Sequence, residues 1–340
     1  MKAIILKEFG DVDNLQFLEV NKPQISSSEI LVRVEACGVC SHDLINRKGF
    51  FPKTKLPMVL GHEMAGVVEL IGDGVTNFKI GDRVINFPVI ACGKCKMCVS
   101  GNEMLCVHRK LYGEDQYGGY AEYVKGYENS WVKLPETIGP SEGAIIPCTI
   151  GTALHAIRQA KLIAGEKVLI TGATGGVGIH AVQLAKLFGA FVIATTTSDE
   201  KVSFIKDNGA DEVIVLGDKN DVKKIKEMTN NEGVDIVLEI VGSPTFNLSI
   251  RSLAKGGRLI FVGNVESIPI EISPAIIILK ELKISGSTGC TKEELEEAIE
   301  LVRKRQVKPL VQLELPLSKA QEAHRALEDR KANGRIVLTP

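Results

Sequence analysis

Residues 168–178 read VLITGATGGVG, an apolar run that enters a turn carrying Gly172, Gly175, Gly176 and Gly178 around Val177. A Gly-rich turn between a buried strand and a helix lets the backbone approach a pyrophosphate closely. The unpaired N–H groups at the helix start supply the matching positive dipole. The spacing is G-x-x-G-G-x-G rather than strict G-x-G-x-x-G, so its weight depends on what surrounds it. A plain tight turn is the competing reading.

What surrounds it is a series. VLITG (168–172) is followed by the strand-like runs FVIATTT (191–197), EVIVL (212–216), IVLEIVG (236–242), RLIFVG (258–263) and LKISGS (282–287). Helical patterns lie between them, among them VGIHAVQLAKLFG, DEKVSFIKDNG and TFNLSIRSLAKGG. Nearly continuous apolar strands alternating with helices predict a parallel sheet covered on both faces. Six strands with five connections predict a complete doubly wound Rossmann domain over residues 151–286, in an α/β chain.

The first 150 residues read differently. Short alternating runs such as ILVRVEACGV, AGVVELIG and DRVINFPVI are broken by Gly, Pro and Asp turns, which predicts a β-rich domain. Beyond the sixth strand come a helix (TKEELEEAIELVRKR), a strand, a second helix (SKAQEAHRALEDRKA) and the strand RIVLT. These are expected to return to the N-terminal domain, making it discontinuous: 1–150 and 287–340.

The chain has 340 residues, 44% of them hydrophobic, enough for two domains and a sizeable core. Lys plus Arg number 41 against 42 Asp plus Glu, a net charge of −1. No basic excess exists to drive phosphate-backbone binding, so a small molecule rather than nucleic acid is the expected partner. No run of about 18 apolar residues predicts a membrane span. The opening MKAIILKEFGDVDNL has no signal-peptide core, and the expected location is cytoplasmic.

Cofactor choice is read at the end of the second strand, where an NAD site usually carries an acidic residue for the ribose 2′-hydroxyl. Here that position is Thr196, followed by Thr197, Ser198 and, after Asp199 and Glu200, Lys201. Hydroxyls and a lysine suit a 2′-phosphate, which a carboxylate would repel, so NADP(H) is favoured over NAD(H). Asp199 and the lack of a nearby Arg weigh against it.

Four of the eight cysteines fall in one short stretch, Cys92-x-x-Cys95-x-x-Cys98-x7-Cys106. Four closely spaced thiolates need a charge to neutralise them, and a zinc ion wrapped tetrahedrally supplies it. Four protein ligands leave no open position, so this lobe, at about 90–110, is read as structural. A redox dithiol and a nucleic-acid-binding zinc ribbon are the alternatives. Outside the lobe stand Cys40 in CGVCSHD, His62 in GHE and Cys148 in PCTIGTA. Each alone has a bland reading, as a small core hydrophobe or a locally bonded histidine. Together they fit a Cys₂His site with an open fourth position, the arrangement of a catalytic zinc.

CGVCSHD, GHEMAGVVELIGDGV, GDRV, the four-Cys lobe, YGGYAEYV, PCTIGTA and GATGGVG follow one another along the whole chain. In that order they resemble the zinc-containing medium-chain dehydrogenases/reductases, the alcohol dehydrogenase family. The resemblance implies a GroES-like catalytic domain beside the Rossmann domain, and two zinc ions per chain. It implies that Cys40, His62 and Cys148 hold the catalytic zinc, that Glu63 can exchange onto it and that Asp43 orients His62. Thr152 and Val177 would pack near the nicotinamide, with Gly242, Val262 and Gly263 lining the same cleft. The implied activity is zinc-assisted hydride transfer between alcohols and aldehydes or ketones. The implied assembly is a homodimer or homotetramer.

The match departs at the proton path. Where the family's alcohol dehydrogenases carry Ser or Thr two residues after the first zinc cysteine, this chain has His42, and Ile45 stands where a relay histidine often follows. His42 either transfers the proton itself or is a spacer that points away. DLINRKGFFPKTKLPMVLGHE is similar to quinone oxidoreductases and enoyl-thioester reductases. FVGNVESIPIEIS…IIILKELKISGS is similar to archaeal acryloyl-CoA reductases. NADPH-dependent reduction of a C=C bond conjugated to a thioester is therefore the alternative activity.

Overall fold

The strand Lys167–Ile170 lies inside a six-stranded sheet in which every pairing is parallel. In the computed structural model, which describes residues 1–51, 53–266 and 268–340, the strands run across the sheet as Glu212–Val215, Phe191–Thr196, Lys167–Ile170, Val234–Glu239, Leu253–Phe261 and Lys283–Gly286. In chain order this is 3-2-1-4-5-6, the doubly wound dinucleotide fold. The central strands are apolar on both faces because helices cover both: Val168, Leu169, Val192, Ile193, Val237 and Leu238 are all buried. Truncating one of them, such as Leu169, to Ala would cost about 2–5 kcal/mol. The helix Gly176–Leu187 starts straight after the Gly-rich turn, and Gly172 sits at φ +61°. A side chain there would be strained, so the tight turn out of the strand requires glycine.

One helical expectation is corrected. Of TFNLSIRSLAKGG, only Phe246–Ser252 is helical, and Leu253 already begins the next strand. Leu253 pairs with Val234, and the register then shifts so that Arg258 faces Ile236. The bulge absorbs the residues between, including Gly256 and Gly257.

By backbone contacts the chain forms two units: Met1–Gly151 with Gly289–Arg305 and Pro309–Pro340, and Thr152–Thr288 with Gln306–Lys308. The first is built on a seven-stranded sheet. Its order is Val311–Pro316, Arg335–Thr339, Glu29–Val39, Glu63–Ile71, Arg83–Asn86 and Trp131–Lys133, with Tyr123–Tyr127 also paired to Glu29–Val39. The last strand of the chain thus lies beside the end of Glu29–Val39, with Ile336 opposite Val39. That pairing brings residue 335 to the place where Cys40 leaves the sheet. No helix among the described residues is long and apolar enough to cross a membrane.

Candidate metal and cofactor sites

Cys40 follows the strand Glu29–Val39 and stands at the N-cap of the helix Ser41–Arg47. Asp43, in the first turn of that helix, accepts from the Cys40 backbone N–H at 2.9 Å and is buried. Its other oxygen lies 3.0 Å from His62 Nδ1. Nδ1–H donating to the carboxylate leaves Nε2 free as a ligand. Glu63 opens the neighbouring strand and pairs with Gly38. A Cβ on residue 38 would sit 2.2 Å from a Glu63 carboxylate oxygen, so only glycine lets that side chain lie there. Cys148 comes from a one-turn π-helix, Ile146–Gly151, that interrupts the run from Pro140–Ile145 to Thr152–Ala160. The Sγ atoms of Cys40 and Cys148 are 3.9 Å apart. One ligand atom each from Cys40, His62, Glu63 and Cys148 lies within 4.8 Å of every other.

Sequence reasoning missed Arg335, the first residue of the last strand, whose side chain is only 5% exposed. Its guanidinium donates to both Glu63 oxygens, at 2.5 and 3.0 Å, and lies 3.5 Å from each of the two sulfurs. The available signal was a lone cation heading the apolar run RIVLT.

The charges are strongly coupled. Burial alone would raise Asp43 and lower His62, but the pair between them outweighs it, so Asp43 is held down and His62 well up. The Cys148 hydrogen bond and the Arg335 charge hold Cys40 well below the usual thiol range despite burial, while Cys148 is pushed well above it. Burial pushes Glu63 up to about 7, against the pull of Arg335.

In the lobe, Cys95 caps the short helix Lys96–Val99, and Cys106 is the one buried sulfur of the four. The Sγ atoms of Cys92 and Cys95 lie 3.9 and 3.5 Å from that of Cys98, and all four sulfurs are within 4.8 Å of one another. The Cys98 backbone N–H brings Cys95 down to about 6, whereas burial and the neighbouring sulfurs push Cys98 up to about 12. Tetrahedral zinc with sulfurs at about 2.3 Å needs sulfur–sulfur edges of about 3.8 Å. Both clusters therefore fit zinc in donor chemistry and in spacing.

Two family descriptions match the chain: "Alcohol dehydrogenase GroES-like domain" over residues 26–136 and "Zinc-binding dehydrogenase" over 176–304. The chain belongs to the zinc-type medium-chain dehydrogenase/reductase family. It is 39% identical to an acryloyl-coenzyme A reductase of Sulfurisphaera tokodaii, over 100% of both chains. It is 38% identical to an alcohol dehydrogenase of Geobacillus stearothermophilus, over 99% of each. A cobalt- and zinc-bound alcohol dehydrogenase from Pyrobaculum aerophilum superposes with a TM-score of 0.92 at 30% identity, covering 100% of this chain and 99% of that one. The protein is thus an oxidoreductase of this family.

His42 lies outside the ligand cluster. Its Nε2 is 2.5 Å from Glu114, its ring stacks on Phe51 at 4.6 Å, and it meets His62 edge-on at 5.0 Å. Of the other two cysteines, Cys37 and Cys290 are both buried and bonded to carbonyls, of Gly38 and Pro147.

The residues expected at the dinucleotide, Thr152 apart, lie at or follow the C-terminal ends of the parallel strands. Gly175 caps the helix that Gly176, Val177 and Gly178 begin. Thr196 ends its strand, and its hydroxyl accepts from the Ser198 backbone N–H at 3.2 Å. Thr197 follows it, and Lys201 closes the 3₁₀ turn Asp199–Lys201. Gly242, Val262 and Gly263 follow two adjacent strands, and Val241 packs against Gly172. Thr152 opens the helix Thr152–Ala160 and is buried.

Proposed function

We propose that this medium-chain dehydrogenase/reductase is a zinc-dependent, NADP(H)-linked enzyme that interconverts alcohols with aldehydes or ketones. The observation that carries the proposal is the Arg335 clamp on Glu63. It engages both carboxylate oxygens, so Cys40, His62 and Cys148 are left as three ligands with a fourth position for a substrate oxygen. When bound, zinc there supplies Lewis acidity toward that oxygen, and the dinucleotide supplies or takes the hydride. Asp43 fixes the His62 tautomer and ring orientation. Glu114 engages His42 Nε2, which leaves Nδ1 as the ring atom that can accept a hydrogen bond from a substrate hydroxyl. The four lobe sulfurs, all within 4.8 Å of one another, suit a structural zinc with no open position.

Thr196, Thr197, Ser198 and Lys201 in place of a carboxylate support the NADP(H) preference. We also propose a homo-oligomer that associates through the dinucleotide-binding unit. Exposed Ile268, Ile270, Ile272, Ile278 and Leu279 near the sheet-edge strand Lys283–Gly286 support it, and light scattering on purified protein tests it.

A second reading, NADPH-dependent reduction of a C=C bond conjugated to a thioester, is favoured by Ile45 where a relay histidine often stands and by the likeness to an acryloyl-coenzyme A reductase. One experiment separates the two: NADPH and NADH oxidation with a panel of aldehydes and ketones against acryloyl-CoA, on protein of measured zinc content. Carbonyl turnover with NADPH preferred is the expected result. No carbonyl turnover beside rapid acryloyl-CoA turnover overturns the first reading in favour of the second.

A further inference from the structure

Glu239 ends the strand Val234–Glu239 with its side chain fully buried. One carboxylate oxygen accepts four hydrogen bonds: from Thr171 Oγ1 at 2.7 Å, Thr245 Oγ1 at 2.7 Å, the Gly242 N–H at 2.8 Å and the Val241 N–H at 2.9 Å. The other accepts from the Ser249 hydroxyl. All five donors are neutral. The main-chain carbonyl of the same residue accepts from the N–H groups of Val262 and Gly263, at 2.8 and 3.3 Å.

The identity of the tethered segments carries the inference. Thr171 is the residue directly before Gly172 and the Gly-rich turn. Val241, Gly242 and Thr245 form the loop after the fourth strand of this sheet, and Val262 and Gly263 follow the fifth. One buried carboxylate and its own carbonyl therefore tie together three chain segments at the end of the sheet where such folds bind ligands. An apolar residue could fill this core position without burying a carboxylate, which needs every oxygen satisfied to be tolerated. What only a carboxylate can do is fix several donors from different segments at set distances. Thr171 passes the constraint on, since its hydroxyl donates to Glu239 and accepts from the Ile240 N–H at 2.9 Å.

We propose that Glu239, acting through Thr171, is the positioning residue of the dinucleotide site. It holds the phosphate turn and the two neighbouring loops in their binding geometry before the ligand arrives, and it does not touch the reacting atoms. The inference rests on the reading that this unit binds a nicotinamide dinucleotide.

The test measures dissociation constants for NADPH and NADH on intact protein by fluorescence titration, with steady-state kinetics alongside. The variants are Glu239→Gln, Thr171→Val, Thr171→Ser and a control, Thr229→Val. Thr229 is equally buried, bonded to the Ile225 carbonyl and the Gly233 N–H on the approach to the opposite end of the same strand. Removing the negative charge in Glu239→Gln, or the hydrogen bond to it in Thr171→Val, is expected to weaken dinucleotide binding about tenfold or more. Their kcat at saturating dinucleotide should stay near wild type, and Thr171→Ser, which keeps the hydroxyl, should restore binding. Thr229→Val should lower Tm and leave the dissociation constant unchanged. Wild-type binding in Thr171→Val overturns the proposal even if Glu239→Gln does not fold. An equal loss in Thr229→Val also overturns it, because stability alone would then explain the effect. Wild-type protein that binds neither dinucleotide overturns the underlying reading as well, and that result is seen before any variant is made.

Discussion

The lobe draws its four sulfurs from fifteen residues, 92–106, while the second cluster draws its ligand atoms from positions 40, 62, 63 and 148. The lobe is a local wrap: a short helix and a 3₁₀ turn bring its four sulfurs to within 4.8 Å of one another. The second cluster is assembled by the sheet, which lays Glu63 beside Gly38 and Arg335 beside Cys40. Locally wrapped sulfurs close on a metal and leave nothing to spare. A sheet-built cluster can add a charged residue whose task is to hold one ligand away. On the proposed function, the difference between a structural and a reactive metal site lies less in the ligands than in Asp43 and Arg335, which hold His62 and Glu63 at the sheet-built cluster.

That contrast can be broken by exchanging the fate of single residues. Cys40→Ser should abolish turnover by about a thousandfold, the equivalent of several kcal/mol of charge stabilisation, with the far-ultraviolet spectrum intact. Cys95→Ser should instead lower Tm and leave kcat of the folded fraction near wild type. Equal effects of the two on kcat would erase the distinction between the clusters.

Arg335→Ala leaves Glu63 buried without its cation. The expected destabilisation is about 3–5 kcal/mol in denaturant unfolding. A loss under about 1 kcal/mol would mean that Glu63 is not held by Arg335.

A third consequence follows the hydrogen bonds outward from Asp43. Tyr120 donates to Asp43 at 3.2 Å and lies 3.2 Å from Nε2 of His324, which burial pushes down to about 4. The unfolded chain therefore binds this proton more readily than the folded one. His324 contributes stability that is fully present above about pH 6.5 and disappears as pH falls to about 4, roughly 3 kcal/mol in all. His324→Phe should flatten that acid limb of the stability curve, and an unchanged limb would refute the assignment.

Asp43→Ala is expected to have the smallest effect of these substitutions. It should weaken metal binding at the sheet-built site by about 10–100-fold, read by competition with a chelator, and leave the lobe metal untouched.

Much of this was legible in the residues. The central strands of the Rossmann unit are apolar on both faces, so composition alone marks them, and RIVLT was delimited to the residue. The cysteine lobe was legible because its ligands are neighbours in sequence. What escaped depends on distant pairing. Arg335 reads as a surface charge until the last strand is set against Glu29–Val39, 272 positions from Glu63. Glu114 meets His42 across 72 positions. The π-helix that carries Cys148 has no periodic signature of its own, and Glu239 reads as the polar end of a strand until its five donors converge on it.

The central claim is that the sheet-built cluster holds a reactive metal with one position open to substrate and the lobe holds a structural one whose four positions are all filled by sulfur. The most direct measurement follows zinc per chain, NADPH-linked activity and Tm together during slow chelation. The account predicts two zinc ions at the start, with activity lost in step with the first to leave while Tm holds. Full activity retained after the first zinc has gone, or activity lost only when Tm collapses with the second, would contradict it.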